Sequence, residues 1–175
     1  MYSKGRGIKT DYQEGIKWYK KAAEQGYAES QLNLAVKYHL GQGIKADKNT
    51  AIKWYTKAAE QGHEEAQFNL GYLYYLSKTN EKKAEKWFLK SANQGVTRAQ
   101  NFLGKLYYDE TGILADKYKA YVWLEISRIC GMYDSTIIAT EQLRKELPQD
   151  DLLKADRFIA TRSKELRKIM RDKKK

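Results

Sequence analysis

The chain has one cysteine, one proline and two histidines in 175 residues. A single cysteine, Cys130, excludes an internal disulfide framework. His39 and His63 stand with no cysteine or acid cluster at ligand spacing, so no zinc site is expected. A lone proline and no Ser/Gly tract leave no flexible linker. No run approaches the roughly 20 apolar residues that span a bilayer. Residues 1–7 lack the apolar centre of a signal peptide. Catalytic patterns are absent too. Cys130 has no histidine near it in sequence. The Gly5-Arg-Gly7 and Gly41-Gln-Gly43 turns lack the third glycine and preceding strand of a dinucleotide loop. Glu64-Glu65 and Asp150-Asp151 fall at predicted helix starts, where the helix dipole explains them. His63 follows a helix-ending glycine and is expected to be solvated. No enzyme activity, cofactor or metal is expected.

What is present is repetition. Trp18, Trp54, Trp87 and Trp123 are 36, 33 and 36 residues apart. The first copy reads Gly15-Ile-Lys-Trp18-Tyr19-Lys-Lys-Ala22-Ala23-Glu-Gln-Gly26. The second reads Ala51-Ile-Lys-Trp54-Tyr55-Thr-Lys-Ala58-Ala59-Glu-Gln-Gly62. The third reads Ala84-Glu-Lys-Trp87-Phe88-Leu-Lys-Ser91-Ala92-Asn-Gln-Gly95, and the fourth, more worn, Ala120-Tyr-Val-Trp123-Leu124-Glu-Ile-Ser127-Arg128-Ile-Cys-Gly131. A period of this length marks stacked supersecondary units. A hydrophobic fraction of 42% can supply the core they need.

Apolar positions at i, i+3, i+4 and i+7 predict a first helix in each copy, closed by its glycine. A second helix follows, marked by Leu34-Ala35 and Tyr38, Leu70-Gly71 and Tyr74, and Leu103-Gly104 and Tyr107. The small residues at 35, 71 and 104 are expected to let two helices approach closely, with the tryptophan filling the space beside them. Asp47 and Asp116 fall near the start of the next first helix. The turn 77–80 has lost three residues, which accounts for the short interval.

The frame A-x-x-W-Y-x-x-A-A-x-x-G-x-x-x-A-Q-x-x-L-G-x-x-Y resembles the Sel1-like repeat, a relative of the tetratricopeptide repeat. The resemblance covers about residues 1–147. It implies an all-α, right-handed α-solenoid of helix-turn-helix repeats with a C-terminal capping helix. The expected divisions are a partial repeat 1–11, repeats at about 12–47, 48–80, 81–116 and 117–147, a capping helix 148–170 and a basic tail 171–175. Tyr2 aligns with Tyr38, so Met1 falls inside a second helix. That points to a fragment of a longer array; a natural start at half a repeat is the alternative. Some Sel1-like proteins carry paired cysteines in each repeat; this chain has none.

In related repeats the first helix lines a concave face. Register then implies one row at Lys20, Thr56, Leu89 and Glu125, and another at Gln13, Asn49, Lys82 and Tyr118. Tyr121 joins them as a partner-binding candidate. The alternative for Tyr118 and Tyr121 is packing against the C-terminal helix. Residues 156–175 hold nine Lys/Arg and three acids, against a net charge of +11 for the chain. Such a stretch can bind nucleic acid, anionic lipid or an acidic protein, or be the solvated end of a helix. It carries no base-reading motif and no interleaved aromatics. The expected function is therefore a non-catalytic scaffold or adaptor holding a protein or peptide, one of acidic character included. A nucleic-acid accessory protein is the runner-up, and an immunity-type role stays open.

Overall fold

A computed structural model describes residues 12–78, 80–131 and 136–173, with side chains from residue 15. The expected partial repeat 1–11, the side chain of Gln13, and Lys174 and Lys175 lie outside the described residues. Among them are nine helices and no strand. First helices are α1 (Tyr12–Glu24), α3 (Lys48–Glu60), α5 (Glu81–Asn93) and α7 (Lys117–Ile129). Second helices are α2 (Ala28–Leu40), α4 (Glu64–Leu76), α6 (Thr97–Tyr108) and α8 (Ile137–Glu146). The last is α9 (Gln149–Asp172).

One set of local bonds sets the repeat. Gly26, Gly62 and Gly95 adopt φ of 96°, 92° and 90°, which a side chain would strain. The next N–H then reaches back over each turn: Tyr27 to Ala22 O at 3.2 Å, His63 to Ala58 O at 3.1 Å, Val96 to Ser91 O at 3.3 Å. At the opposite end Asp47 Oδ1 accepts the N–H groups of Asn49 and Thr50, both at 3.0 Å. Asp116 Oδ1 accepts from Lys119 N–H at 2.9 Å. Each caps donors that the first turn leaves unsatisfied.

The backbone forms two units, residues 1–66 and 67–175. In the first, Ala23, Leu34, Ala35, Ala51, Tyr55, Ala58 and Ala59 are buried. In the second, Phe88, Leu103, Leu124, Ile126, Leu143 and Leu166 share one apolar cluster. There the expected close approach is present, with a different neighbour. A Cβ on Gly71 would meet the Phe88 ring at 2.8 Å, and one on Gly104 would meet Leu124 at 2.6 Å. The residue after the tryptophan fills the space, because it lies 100° further round the helix, toward the glycine.

The tryptophans are not equivalent. Trp87 and Trp123 are each 8% exposed, Trp54 is half-buried, and Trp18 is 62% exposed. Recurrence alone predicts four like residues. Burial needs neighbours on both sides, and no described element precedes α1.

Helix α9 buries Leu152, Ala155, Ile159, Ser163 and Leu166. Three basic residues of this segment end on helix termini. Arg162 donates to Asn93 Oδ1 at 2.7 Å, Arg167 to Ile129 O at 2.9 Å, and Lys173 Nζ to Gln94 O at 2.8 Å. These cations sit where the dipoles of α5 and α7 leave partial negative charge. The stretch 171–175 thus begins inside the helix.

Candidate interaction surface

The first helices carry the register positions expected to meet a partner. Lys20, Asn49 and Lys82 are exposed. Thr56 is half-buried and donates its hydroxyl to Ile52 O at 2.7 Å. Leu89 and Tyr118 are half-buried against the apolar cluster of the second unit. Glu125 is paired with Arg128 at 2.7 Å. Tyr121 is the correction: its ring is 1% exposed, so it presents nothing to a partner. Its hydroxyl donates to Asp156 Oδ1 at 3.1 Å and accepts from Arg144 at 3.0 Å. Burial, with the Asp156 charge beside it, pushes its pKa up to about 12. Tyr121 therefore takes the packing alternative, against α9.

Lysine recurs around the tryptophan, helix by helix, a signal that the register rows above do not include. Each of the first three frames has lysine one residue before the tryptophan and three after: Lys17 and Lys21, Lys53 and Lys57, Lys86 and Lys90. Four residues apart, they share a helix face. All six are exposed. The later lysine of each pair lies over the indole, at 5.1, 4.3 and 4.7 Å from the ring centroid. Such a cation–π contact holds an ammonium in place while its far side stays wet.

The turn after a second helix makes a recurrent cleft. Tyr38, Ala46, Asp47 and Lys48 line one of about 570 Å³. Tyr107, Ala115, Asp116 and Lys117 line its equivalent of about 250 Å³, with Gln142 and Glu146. In the latter, Lys117 bridges Glu146 at 2.7 Å and Glu110 at 3.4 Å. The bond to Glu146 raises the lysine pKa and lowers that of the carboxyl. Its charges are spent on one another.

The remaining polar groups serve the fold. His63 is not solvated as expected: its side chain is 19% exposed and its Nε2 is 2.9 Å from Glu29 Oε2. That bond lowers the Glu29 pKa. Gln61 Nε2 donates to Gln31 Oε1 at 2.7 Å, and Gln31 Nε2 passes a bond on to Ala23 O at 3.1 Å. Gln94 likewise donates to Gln67 at 2.8 Å. At the fourth position of this relay stands Cys130, and Gln100 Oε1 is buried with no donor among the described residues. Burial raises the Cys130 pKa, offset by the Arg167 charge, so the thiol is a poor nucleophile. Among the described residues no group of His, Cys, Asp and Glu could hold a metal ion. Nor is any described helix long and apolar enough to cross a membrane.

The family model of the Sel1 repeat matches residues 1–27, 28–63, 64–96 and 97–128. The chain belongs to the Sel1 repeat family. Its structure is similar to that of a Sel1 repeat protein from Oxalobacter formigenes, with 35% identity and a TM-score of 0.64 over 69% of this chain and 51% of that one. A protective antigen present in uropathogenic Escherichia coli strains, displaying an SLR fold, gives 28% identity and a TM-score of 0.47 over 91% and 44%. An immunity protein from Pseudomonas aeruginosa gives 18% and 0.36 over 89% and 75%. The chain thus spans about half the length of the Oxalobacter Sel1 protein. No curated protein matches it. Sel1 repeat proteins generally mediate protein–protein interaction and are generally non-catalytic scaffolds.

Proposed function

We propose that this Sel1 repeat chain is a non-catalytic adaptor that holds a protein or peptide on the outward faces of its first helices. The observation that carries the reading is the repeated display of exposed polar side chains on α1, α3 and α5: Lys20, Asn49 and Lys82. Repeat units of this kind build extended binding surfaces. The basic C-terminal region supports nucleic-acid binding less well, because Arg162, Arg167 and Lys173 already donate to the fold.

The test is affinity purification of the tagged chain from its native cell, with cross-linking and mass spectrometry. A protein partner should be recovered, cross-linked at Lys20 or Lys82. Charge reversal at either lysine should weaken the complex and leave the melting temperature unchanged. Alanine at Arg171, Lys174 and Lys175 should leave it intact; Lys173 is retained in that variant because it caps α5. A nucleic-acid complex that depends on those three residues at physiological salt, with no protein partner, would overturn the reading.

A further inference from the structure

Helix α5 separates its charges by face. Its two carboxylates are turned into the fold: Glu81 Oε2 accepts the N–H of Ile113 at 2.9 Å, and Glu85 accepts the Tyr107 hydroxyl. Its four lysines, Lys82, Lys83, Lys86 and Lys90, are all exposed. Lys83, Lys86 and Lys90 follow the three-then-four spacing of a single helix face. They extend over about 10 Å at 1.5 Å per residue. Lys83 lies 5.3 Å from the Tyr74 ring centroid, and Lys86 and Lys90 lie 5.6 and 4.7 Å from that of Trp87. Three residues beyond Lys90, on the same face, Asn93 is bonded by Arg162 of α9. That guanidinium is also paired with Glu165 at 2.7 Å, so the run of open cations ends at Lys90. On α1 and α3 the corresponding position is an acid, Glu24 or Glu60, so α5 is the most uniformly cationic of the three.

Helix α7 says what kind of object sits on this row. There the two lysine positions are Val122 and Ile126, buried in one cluster with Leu152, Ala155, Ile159 and Leu166 of α9. The fold thus seats a helix against the row where it is apolar. On α5, Arg162 and Lys173 bond at the C-terminal end, to Asn93 and Gln94, and the three lysines are exposed. We infer that the α5 ridge of Lys83, Lys86 and Lys90 docks an acidic helix of a partner protein whose carboxylates recur at three- and four-residue spacing. The inference rests on the adaptor reading and gives its partner a chemistry. Charge complementarity selects an anionic occupant. Nucleic acid fits less well: Trp87 is 8% exposed beneath two lysines and offers no open ring for a base to stack on.

The test uses a random-peptide display library against the whole chain, with K86E/K90E and K86Q/K90Q as variants and circular dichroism melts as the control for folding. Enriched peptides should be net acidic, with Asp or Glu at the stated spacing. Their affinity should fall about tenfold or more in K86E/K90E and by less in K86Q/K90Q. It should also weaken with salt. Neutral or basic winners, or acidic winners indifferent to both variants, would overturn the ridge and leave the adaptor reading standing. No enrichment at all would count against both. A single-stranded oligonucleotide bound more tightly than the peptides, through the same lysines, would assign the ridge to polyphosphate and overturn the inference.

Discussion

At the scale of residues, equal places in a repeat do not mean equal energies. Trp87 and Trp123 are almost enclosed, whereas Trp18 is 62% exposed. Trp87→Ala should cost about 3–5 kcal/mol, the usual loss for a buried aromatic. Trp18→Ala should cost well under about 1 kcal/mol, and half-buried Trp54 should fall between. Chemical denaturation of the three variants checks the order, and equal losses at 18 and 87 would contradict it. The glutamine relay makes a second, opposite prediction. Gln100 Nε2 donates to Ala92 O at 3.3 Å, as Gln31 does to Ala23 O, but its buried Oε1 lacks the donor that Gln61 gives Gln31. Cys130→Gln should supply it and stabilise the chain by about 1 kcal/mol. Cys130→Ser, too short to reach by the same register, should be close to neutral. The relay is a case where sequence was half legible: the recurring glutamines mark a role, but only coordinates reveal that they bond to one another.

At the scale of elements, the small residues divide into two kinds. Gly15 lies inside α1, where Ala51, Ala84 and Ala120 occupy the same register, and a Cβ there meets nothing within 4 Å. Gly15→Ala should therefore stabilise by about 0.5–1 kcal/mol, the helix-propensity gain alone. Gly104 is also helical, but its Cβ would strike Leu124 side-chain atoms at 2.6 Å and the Leu124 backbone nitrogen at 3.0 Å. The overpacking cost, about 1–3 kcal/mol, exceeds the propensity gain, so Gly104→Ala should destabilise. Thermal melts that moved the same way for both would refute the distinction. The helices, their glycine stops and their aspartate caps were legible because each is a local matter of one turn. The destinations of Arg162, Arg167 and Lys173 were not. A basic run reads as solvated until the carbonyls it meets, some 38 to 79 positions away, are known. Tyr121 was ambiguous for the same reason, since its partner Asp156 is 35 positions distant.

At the scale of the whole molecule, buried phenols set an alkaline limit. Burial pushes Tyr55 up to about 12, and burial with Asp156 does the same for Tyr121. Burial and then Glu85 raise Tyr107 further. Unfolded, these tyrosines titrate near 10.0. Between that pH and about 12 the folded chain keeps protons that the unfolded chain releases. Stability should therefore be full below pH 10 and fall as pH rises through this window. Urea midpoints measured from pH 8 to 11.5 should decline, and Tyr55→Phe should flatten part of the slope. A midpoint independent of pH would show that the phenols ionise without resisting.

The bond from Lys173 to the Gln94 carbonyl joins residues 79 positions apart, and that from Arg162 to Asn93 joins residues 69 apart. A ribosome delivers these partners roughly 3 to 16 s apart at ordinary elongation rates of about 5–20 residues per second. During that interval α5 has been made but its C-terminal carbonyl waits for a cation still to be translated. The segment from 67 onward thus completes its assembly late in synthesis, whereas α1 to α3 can pair as they emerge. A nascent chain stalled before residue 149, where α9 begins, would expose the apolar side of α7, at Val122 and Ile126, to chaperones.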